Sequence, residues 1–582
     1  MTLQIGEEWE THNFFGAYPL YDFDVSYIVD RRMSTGLLLV GPVTTLIVTP
    51  MSNYDPISLS KMLSLSTFAF FVAGLMWWNR KKIAGRIPKS VLILSTLFTV
   101  WMFAVLLLSG APIDQQFWGT FGRNTGLLSY LSLTLILLGT IAINNTESFK
   151  GIIRALVFTA IPMTIYCIVQ VSGNDPVSWS SFAPFGTLGN INFLSAFLGI
   201  TSLVCVILLF SDEVKTYQKL CLIFLVIIDI PIIVSTGSIQ GFMIFIAGIG
   251  IAGLIVIFKS RWKIIIGVPY SLFVLISTYF TLLGLNNSGI LARYLYQSSV
   301  TFRADYMHAG WAMTMKFPIF GVGMDSYGDW YRQLRGDIST NRTNPERTAN
   351  TAHNIFLDIS SNGGFTLLAI HVGLLSLALY SAISYFRKIP NVDIFYLAVF
   401  SAWCAYQVQA LISINQIGVG VWGWIFTGVL IGYPRVVTST PLGSDKSGKR
   451  ERKVKALLPA SAALHAIFGG AIGLGLAFVP FNADLRYYSA LQTKALDQIV
   501  KSTKSVGATM FHRELSLQAA MQIPAEPQAY EIARELVREY PRSFFGWRVL
   551  ASISVTPELE KIEALQRMKE LDPYNKAIPT AP

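Results

Sequence analysis

Arginine and histidine side chains are concentrated in one long polar stretch between about Leu285 and Asn362. The stretch contains the phrases FRADYMHAGW, with Arg303, and TAHN, with His353. A guanidinium can bind an anionic group with two hydrogen bonds. An imidazole can take a proton from a hydroxyl near neutral pH. These residue types together predict a site that holds an anionic head group and deprotonates a group beside it.

Long apolar runs surround this stretch and fix the class of the protein. Of the 582 residues, 52% are hydrophobic and 14% are charged. The apolar residues occur in runs of membrane-spanning length, which predicts an all-α, polytopic helical membrane protein and a lipid-linked substrate for the polar stretch. About thirteen spans are predicted, at residues 34–51, 59–79, 90–110, 126–143, 151–171, 193–210, 219–235, 240–258, 264–284, 363–385, 392–412, 418–434 and 456–480.

Basic residues divide the connecting loops into two sets. Lys and Arg are abundant in one alternate set of short loops and nearly absent from the other, where Arg123 is the exception. The positive-inside rule makes the basic set cytoplasmic and turns the arginine-rich loop 285–362 outward. The net charge of +11 follows mainly from this sidedness. Nucleic acid is therefore not an expected partner, because the charges form separate short loops without a groove.

Three regions follow from this topology. Residues 1–33 are predicted to be an N-terminal cytoplasmic segment without a cleavable signal, and residues 34–480 a transmembrane core. Residues 481–582 carry interspersed charges of both signs and are predicted to form a soluble, extracytoplasmic helical domain. The spacing of Pro541 and Pro573, each ending an amphipathic segment, is close to the tetratricopeptide period of ~34 residues. A small helical bundle without repeat ancestry remains the alternative.

Several phrases in the outward loops resemble a known family. They are FWGTFGRNTGLLSYLSL, PFGTLGNINFLSAFLG, STGSIQGF, FRADYMHAGWAMTMKFPIFGVG and TAHNIFLDISSNGG. In this order they are similar to the O-antigen ligase and polymerase superfamily, which includes bacterial O-linked protein oligosaccharyltransferases. The resemblance runs from about Phe117 to Gly364. It implies an integral glycosyltransferase that moves a glycan from an undecaprenyl-pyrophosphate carrier to an acceptor on the outer face of the bacterial cytoplasmic membrane.

The resemblance also implies roles for particular residues. The family's essential loop arginine matches Arg303, and its essential histidine matches His353. Arg123, in FGRNTG, matches a basic position near the carrier phosphates. The chemistry agrees, because a base must take the proton of the acceptor hydroxyl and the departing pyrophosphate gathers negative charge. His353 and Arg303 are the predicted catalytic residues, and Arg123 is predicted to bind substrate.

Two further residues are predicted to bind substrate. For several of the predicted site residues, a structural role is the alternative. Gln240 begins a span at the outer surface, where its amide can hydrogen-bond a sugar or phosphate, although capping by Ser238 also explains the local polarity. Asn354 follows His353 in the AHN phrase. A histidine bonded to the loop backbone is the alternative for His353, and an interfacial anchor is the alternative for Arg303.

Other polar residues carry weaker signals. His308 is interpreted as a wetted surface residue, although it can also contact substrate. His371 and His465 lie in apolar spans, where a hydrogen bond between helices is the simplest role. Asp229, with a proline two residues later, is either a substrate contact or ion site, or a structural acid with a partner.

A catalytic metal or other cofactor is not expected. Asp22-Phe23-Asp24 is the one literal Asp-x-Asp, and it lies on the cytoplasmic side in this topology. The four cysteines lie in or beside apolar runs without metal-ligand spacing.

Two classes of function remain open. The first is transfer of a lipid-linked glycan to a glycan, lipid or protein acceptor, as a ligase, polymerase or protein oligosaccharyltransferase, with the helical tail gripping the acceptor or a protein partner. The alternative is a multi-pass transporter or flippase of a polysaccharide precursor, for which Asp229 and its helix break are natural. Transport predicts polar residues spread through several spans. Their concentration in the outward loops favours the enzyme.

Overall fold

Helices account for the whole architecture, as the apolar runs predict. The computed structural model describes residues 20–177, 179, 183–296, 298–342, 345–439, 457–523 and 525–579. The described residues form 24 α-helices and no β-strand, which confirms the all-α fold class. The first 19 residues and the basic SGKRERKVK segment lie outside the described residues.

The first half of the chain consists mainly of long apolar helices. Their bounds, with three short connecting helices among them, are α1 Leu20–Leu46, α2 Ser58–Trp78, α3 Arg80–Ile83, α4 Lys89–Leu108, α5 Ile113–Trp118, α6 Leu127–Ile141, α7 Thr146–Val171, α8 Ile191–Leu208, α9 Thr216–Ser235, α10 Gln240–Lys259, α11 Gly267–Leu285 and α12 Ala292–Leu295.

The second half carries the polar region, the last apolar helices and the tail. The bounds are α13 Ser298–Lys316, α14 Tyr327–Leu334, α15 Gly336–Arg342, α16 Ile355–Lys388, α17 Ile394–Ala410, α18 Ile417–Ser439, α19 Ala460–Thr493, α20 Leu496–Ser502, α21 Met510–Met521, α22 Glu526–Glu539, α23 Phe544–Ser552 and α24 Glu558–Leu571.

Every predicted span falls on one of these helices. Ten helices of the described chain are long and apolar enough to cross a membrane. Two more, α6 and α17, are apolar but shorter. The remaining predicted span lies on α1, which begins at Leu20 and so takes up part of the segment assigned to 1–33. The chain is a multi-pass membrane protein, and the count of thirteen spans stays a prediction.

Contacts join the basic loops to one another at one end of the helices. Arg86 donates to Asp30 and to the carbonyl of Ala142. Arg435 donates to the carbonyl of Ile143, and Lys259 to the loop that follows α16. These loops belong to the set predicted to be cytoplasmic. Their grouping agrees with the alternation read from the charges.

The polar region is fastened to α16 at a break in that helix. Gly364 interrupts α16 with φ 75°. Around the break, the Val322 N–H donates to the Ser361 carbonyl at 2.8 Å, and the Phe365 N–H to the Pro318 carbonyl at 2.9 Å. A Cβ at Gly364 would overlap the carbonyl oxygen of Ile319, so only glycine fits. The FPIFGVG and SSNGGF phrases meet here.

The tail continues from the membrane part without a break. α19 is one helix that passes through the boundary predicted between residues 480 and 481. Its first half lies against α2, where Gly74, Gly469 and Gly473 leave no room for a Cβ. Small residues at such an interface let two helix backbones approach closely. The division into three domains stays a prediction.

Helices α20–α24 of the tail form a separate apolar core around Leu517, Ala533, Leu536 and Leu550. Adjacent helices pack against each other in turn. This arrangement is typical of helical hairpins, whereas tetratricopeptide ancestry remains a prediction.

Candidate active site

Arg303 lies on α13 and is held by Gln240, the first residue of α10. With the amide of Gln240 oriented so that its oxygen faces the guanidinium, that oxygen accepts from both Nη atoms of Arg303, at 2.8 and 3.0 Å. Gln240 is 3% exposed, so this contact is shielded from water. The structure thus brings together two predicted site residues that are far apart in the sequence.

The positive charge of Arg303 is not cancelled by an acid. In the part of the chain that the structure describes, no carboxylate forms an ion pair with it, and Asp305 on the same helix pairs with Arg342 instead. Burial lowers the pKa of Arg303. A partly buried guanidinium held by a neutral amide keeps its charge and several N–H donors for an anionic ligand.

His353 lies in a strained turn immediately before α16. Its φ is 53°, in the left-handed region that residues other than glycine seldom adopt. The backbone N–H donates to Thr351 Oγ1 at 2.8 Å, and the ring centroid lies 5.1 Å from that of Tyr306. Such strain persists only where the surroundings impose it, and it occurs often at functional sites.

His353 is electrically neutral at neutral pH. Burial, together with the charges of Arg303 and Arg123, lowers the pKa of its imidazole to about 3. This value is well below the ordinary imidazole pKa near 6.5. The ring can therefore accept a proton, but burial and the two guanidinium charges make it a weak base.

Arg123 contacts three segments of the polar region. Its Nη1 donates to the Asn350 carbonyl at 3.2 Å. Its Nε lies 3.8 Å from Asp325 Oδ1, and its Nη2 lies 3.9 Å from Asp358 Oδ2. Two carboxylates thus offset the charge of Arg123, in contrast to Arg303.

Asp325 organises the loop that carries Arg123. Its Oδ2 accepts the backbone N–H groups of Thr120 at 2.8 Å and Thr125 at 3.1 Å. A Cβ at Gly119 would overlap this carboxylate, which explains the glycine two residues before the FGRNTG phrase. Asp325 was not singled out from the sequence, where it follows the glycine-rich FPIFGVG phrase. The available signal was this aspartate beside a turn, since a carboxylate there can accept backbone N–H groups of a neighbouring loop.

Asn354 caps α16. Its Oδ1 accepts the N–H groups of Phe356 and Leu357 at 3.0 and 3.1 Å, and its Nδ2 donates to the Leu411 carbonyl at 3.1 Å. Asp358 adds a bond from the Ala352 N–H at 2.7 Å. The side chain of Asn354 therefore fixes the turn that holds His353, and its contact with substrate stays a prediction.

A cleft of about 260 Å³ adjoins Arg123. We call it the core cleft. Its polar walls come from four segments of the chain, with side chains of Asp55, Ser58, Asn190, Asn415 and Gln416. The segment with Asn415 and Gln416 was missed by sequence reasoning. Its signal was the polar SINQ phrase between two apolar helices.

The weaker candidates lie apart from these contacts. His308 is exposed on α13, and His465 Nδ1 contacts the Ser461 carbonyl at 2.7 Å. His371 is buried among the rings of Phe98, Phe356 and Trp424. Within the described chain, none of the three contacts Arg303 or His353.

Asp229 has hydroxyl partners within the membrane part. Its Oδ1 accepts from Thr164 at 2.6 Å, and its Oδ2 accepts from Ser202 at 3.4 Å. These neutral donors suit a buried structural acid, and they join three neighbouring helices.

Metal-ligating residues do not gather at the site. Within the described ranges no three His, Cys, Asp or Glu side chains are grouped to hold a metal ion. Asp22 and Asp24 lie near the start of α1. Metal independence remains a prediction.

Comparison with known families matches part of the chain to one family model. Residues 220–372 match the family model described as O-antigen ligase. This part of the chain is similar to the O-antigen ligase family. The match includes Gln240, Arg303, His353 and Asn354, whereas Arg123 lies before it. No curated protein matches the chain at a significant level.

The domain supports glycan transfer in a membrane and a lipid-linked glycan as donor. It confirms the resemblance recognised in the outward loops.

Proposed function

We propose that this O-antigen ligase-type protein transfers a glycan from an undecaprenyl-pyrophosphate donor to an acceptor hydroxyl on the outer face of the bacterial cytoplasmic membrane. One observation carries the proposal. Arg303, a guanidinium without a carboxylate partner among the described residues, lies close enough to the neutral imidazole of His353 to lower its pKa. An anion-binding group and a proton acceptor thus share one site.

Arg303 is proposed to bind the pyrophosphate of the donor. As the bond between the anomeric carbon and the carrier phosphate breaks, both electrons of that bond go to the phosphate oxygen. The guanidinium stabilises this growing charge with charge-assisted hydrogen bonds. Gln240 orients the guanidinium of Arg303 by accepting hydrogen bonds on the side away from the ligand.

His353 is proposed to take the proton of the acceptor hydroxyl. The acceptor oxygen then forms the new bond to the anomeric carbon, and undecaprenyl pyrophosphate leaves. A bound pyrophosphate adds negative charge beside Arg303 and Arg123, which favours the imidazolium and raises the pKa of His353. The donor itself therefore makes His353 a stronger base when a proton has to be taken.

Arg123 is proposed to act mainly as a positioning residue. Its contacts with Asn350, Asp325 and Asp358 hold the FGRNTG loop against the turn of His353. It can still contribute one N–H to a phosphate oxygen, because its carboxylate contacts are long.

The direct test uses the purified protein in detergent with lipid-linked oligosaccharide extracted from the host cells. The parent should join glycan to acceptor and release carrier pyrophosphate, also in excess chelator. Arg303→Ala and His353→Ala should abolish both, while His308→Ala on the exposed side of α13 should match the parent. Detergent solution has no second compartment, so turnover there also excludes a flippase. Dependence on added divalent ions, or parental rates in both site variants, contradicts the mechanism.

Glycans from cells with and without the gene distinguish the members of this class. Loss of glycan attachment indicates a ligase or protein oligosaccharyltransferase. Shortened chains indicate a polymerase.

A further inference from the structure

A second cavity, of about 350 Å³, lies between the polar region and the tail. We call it the tail cleft. One wall comes from the chain around α5 and α14, and the other from α21 and α23. Its lining includes Phe121, Asp329, Asn350, Phe511, Glu514 and Arg542.

Firm contacts hold the two walls of the tail cleft apart at a fixed distance. Asp572 of the tail is fully buried and accepts from Arg335 Nη2 at 2.7 and 2.8 Å and from Arg332 Nη1 at 3.1 Å. Tyr540 donates its hydroxyl proton to Asp114 at 2.6 Å. Paired buried charges and a short hydrogen bond resist sliding of the tail. The cleft is thus a feature of the docked structure.

The lining of the tail cleft has the chemistry of a carbohydrate site. Phe121 of the core and Phe511 of the tail stack at 4.5 Å with an interplanar angle of 12°. These two rings, with Phe544 and Phe545 of α23, give the cleft an apolar lining. Such a lining suits the C–H faces of a sugar, while a few fixed polar groups set its orientation.

Two acids in the tail cleft are held ready as hydrogen-bond acceptors. Gln115 donates to Asp329 Oδ2 at 2.9 Å, and Ser543 donates to Glu514 Oε1 at 2.6 Å. Burial raises the pKa of Asp329 to about 6 and also raises the pKa of Glu514. Sugar hydroxyls can donate to such carboxylates.

One loop connects the tail cleft to the core cleft. Thr120 and Phe121 line the tail cleft, whereas the next two residues, Gly122 and Arg123, line the core cleft. Asn350 lines the tail cleft and accepts from Arg123 through its carbonyl. A glycan chain with its reacting sugar near Arg123 would have further sugars within reach of the tail cleft.

We propose that the tail cleft binds a sugar unit of a glycan chain, away from the reacting bond. This inference rests on the proposed function, because it uses the same glycan. The chain belongs either to the donor or to the acceptor, and the chemistry of recognition is the same for both.

The test measures binding of free oligosaccharide to the full-length protein in detergent by titration calorimetry. One probe is the oligosaccharide released by mild acid from the lipid-linked pool of the host cells, and the other is the isolated acceptor glycan. The parent should bind one probe, and Phe511→Ala and the near-isosteric Glu514→Gln should weaken that binding about tenfold or more. Tyr530→Ala, a half-buried tail aromatic outside the cleft, is the control and should bind like the parent.

Michaelis constants identify the source of the sugar. A raised KM for the donor places the donor glycan in the tail cleft, and a raised KM for the acceptor places the acceptor there. Parental binding and KM values in Glu514→Gln and Phe511→Ala overturn the inference, as does a parent that binds neither probe.

His353→Ala separates this inference from the proposed function. It should lose transfer yet bind the free glycan normally. Binding without any transfer by the parent would refute the proposed function and leave the tail cleft as a glycan site. If the parent transfers glycan and the tail-cleft variants change neither binding nor KM, the proposed function stands and the tail cleft is not a glycan site.

Discussion

Arg303 and Arg123 carry the same charge, but their neighbours differ. Arg303 meets a neutral amide, whereas Arg123 lies between two carboxylates. A charge that is already offset contributes less to binding a new anion. At the scale of single residues, the structure therefore assigns the stronger anion contact to Arg303.

Arg303→Lys should reduce transfer about tenfold or more, because lysine keeps the charge but loses the planar fork that contacts Gln240 and the ligand. Arg303→Ala should lower kcat by about 10²- to 10³-fold. Transfer rates with purified protein measure this, with His308→Ala as the control. Equal rates for the lysine variant and the parent would show that a point charge is enough.

The acid limb of the pH profile should differ between the free protein and the donor complex. The lowered pKa of His353, about 3, keeps its imidazole neutral in the free protein, so kcat/KM should stay level down to about pH 4.5. Bound pyrophosphate opposes the charges of Arg303 and Arg123 and should move the limb of kcat upward by about 1 to 3 pH units. Asp325, Asp358 and Tyr306 are the other titratable groups near the site.

Rates between pH 4 and 8, at low and at saturating donor, give the two profiles. If the acid limbs of kcat and kcat/KM coincide, bound donor does not change the pKa of His353. A limb of kcat/KM near pH 6.5 that persists in the Asp358→Asn variant would mean that His353 is not buried as described.

Breaks and turns of the helices decide where the site residues point. α16 begins at its Asn354 cap and breaks at Gly364, so its first part stands apart from the membrane-spanning part. The break accepts the FPIFGVG turn between α13 and α14. Helix α13, which carries Arg303, and α16, which follows the turn of His353, are thereby fixed to each other.

Gly364→Ala should destabilise the protein. The left-handed φ alone costs about 1 to 3 kcal/mol for a residue with a side chain, and the overlap with a backbone carbonyl adds to this. Thermal unfolding in detergent should show a lower Tm, with a matching loss of transfer.

Gly475→Ala is the matched control, because no atom lies within 4 Å of a Cβ built at this helical glycine. It should leave the Tm unchanged or raise it, since alanine favours a helix by up to about 1 kcal/mol. Equal Tm values for both variants would argue that the break in α16 is not required.

The whole molecule is organised with polar contacts at its two ends. Basic loops meet at one end, and the site, the core cleft and the tail lie together at the other. The tail docks on the polar region through buried charge pairs. We infer that it completes the active end of the protein.

Asp572→Ala should weaken the docking of the tail. Removal of the carboxylate leaves Arg335, which is 3% exposed, without its buried partner, and this typically costs about 3 to 5 kcal/mol. Limited proteolysis should cut the tail of this variant faster. Asp497→Ala, an exposed acid on α20, should behave like the parent. If the Asp572→Ala variant resists proteolysis as well as the parent does, the apolar contacts are enough to hold the tail in place.

The proposed sidedness can be tested with fusions. A reporter that is active only outside the cytoplasm should be active when fused after Asn341 and silent after Ser260, because Lys and Arg flank the latter loop. The reversed pattern would move the site to the cytoplasmic face.

The sequence alone determined that the long apolar runs are helices, and several local features. An apolar run of sufficient length must satisfy its own backbone hydrogen bonds in a membrane, so it forms a helix wherever it occurs. The glycine-rich FPIFGVG phrase and the polar loop 285–362 are also visible in the local sequence. The family phrases added Arg303 and His353 as candidates through resemblance.

Only the tertiary structure decided how these pieces meet. The contact of Gln240 with Arg303, the carboxylates beside Arg123 and the pairing of Asp572 with Arg335 all join distant parts of the chain. Burial and neighbouring charge set the pKa of His353, and neither is visible in local sequence. Pairing between charges depends on distance in space, and many arrangements of the same helices satisfy the same hydrophobic pattern.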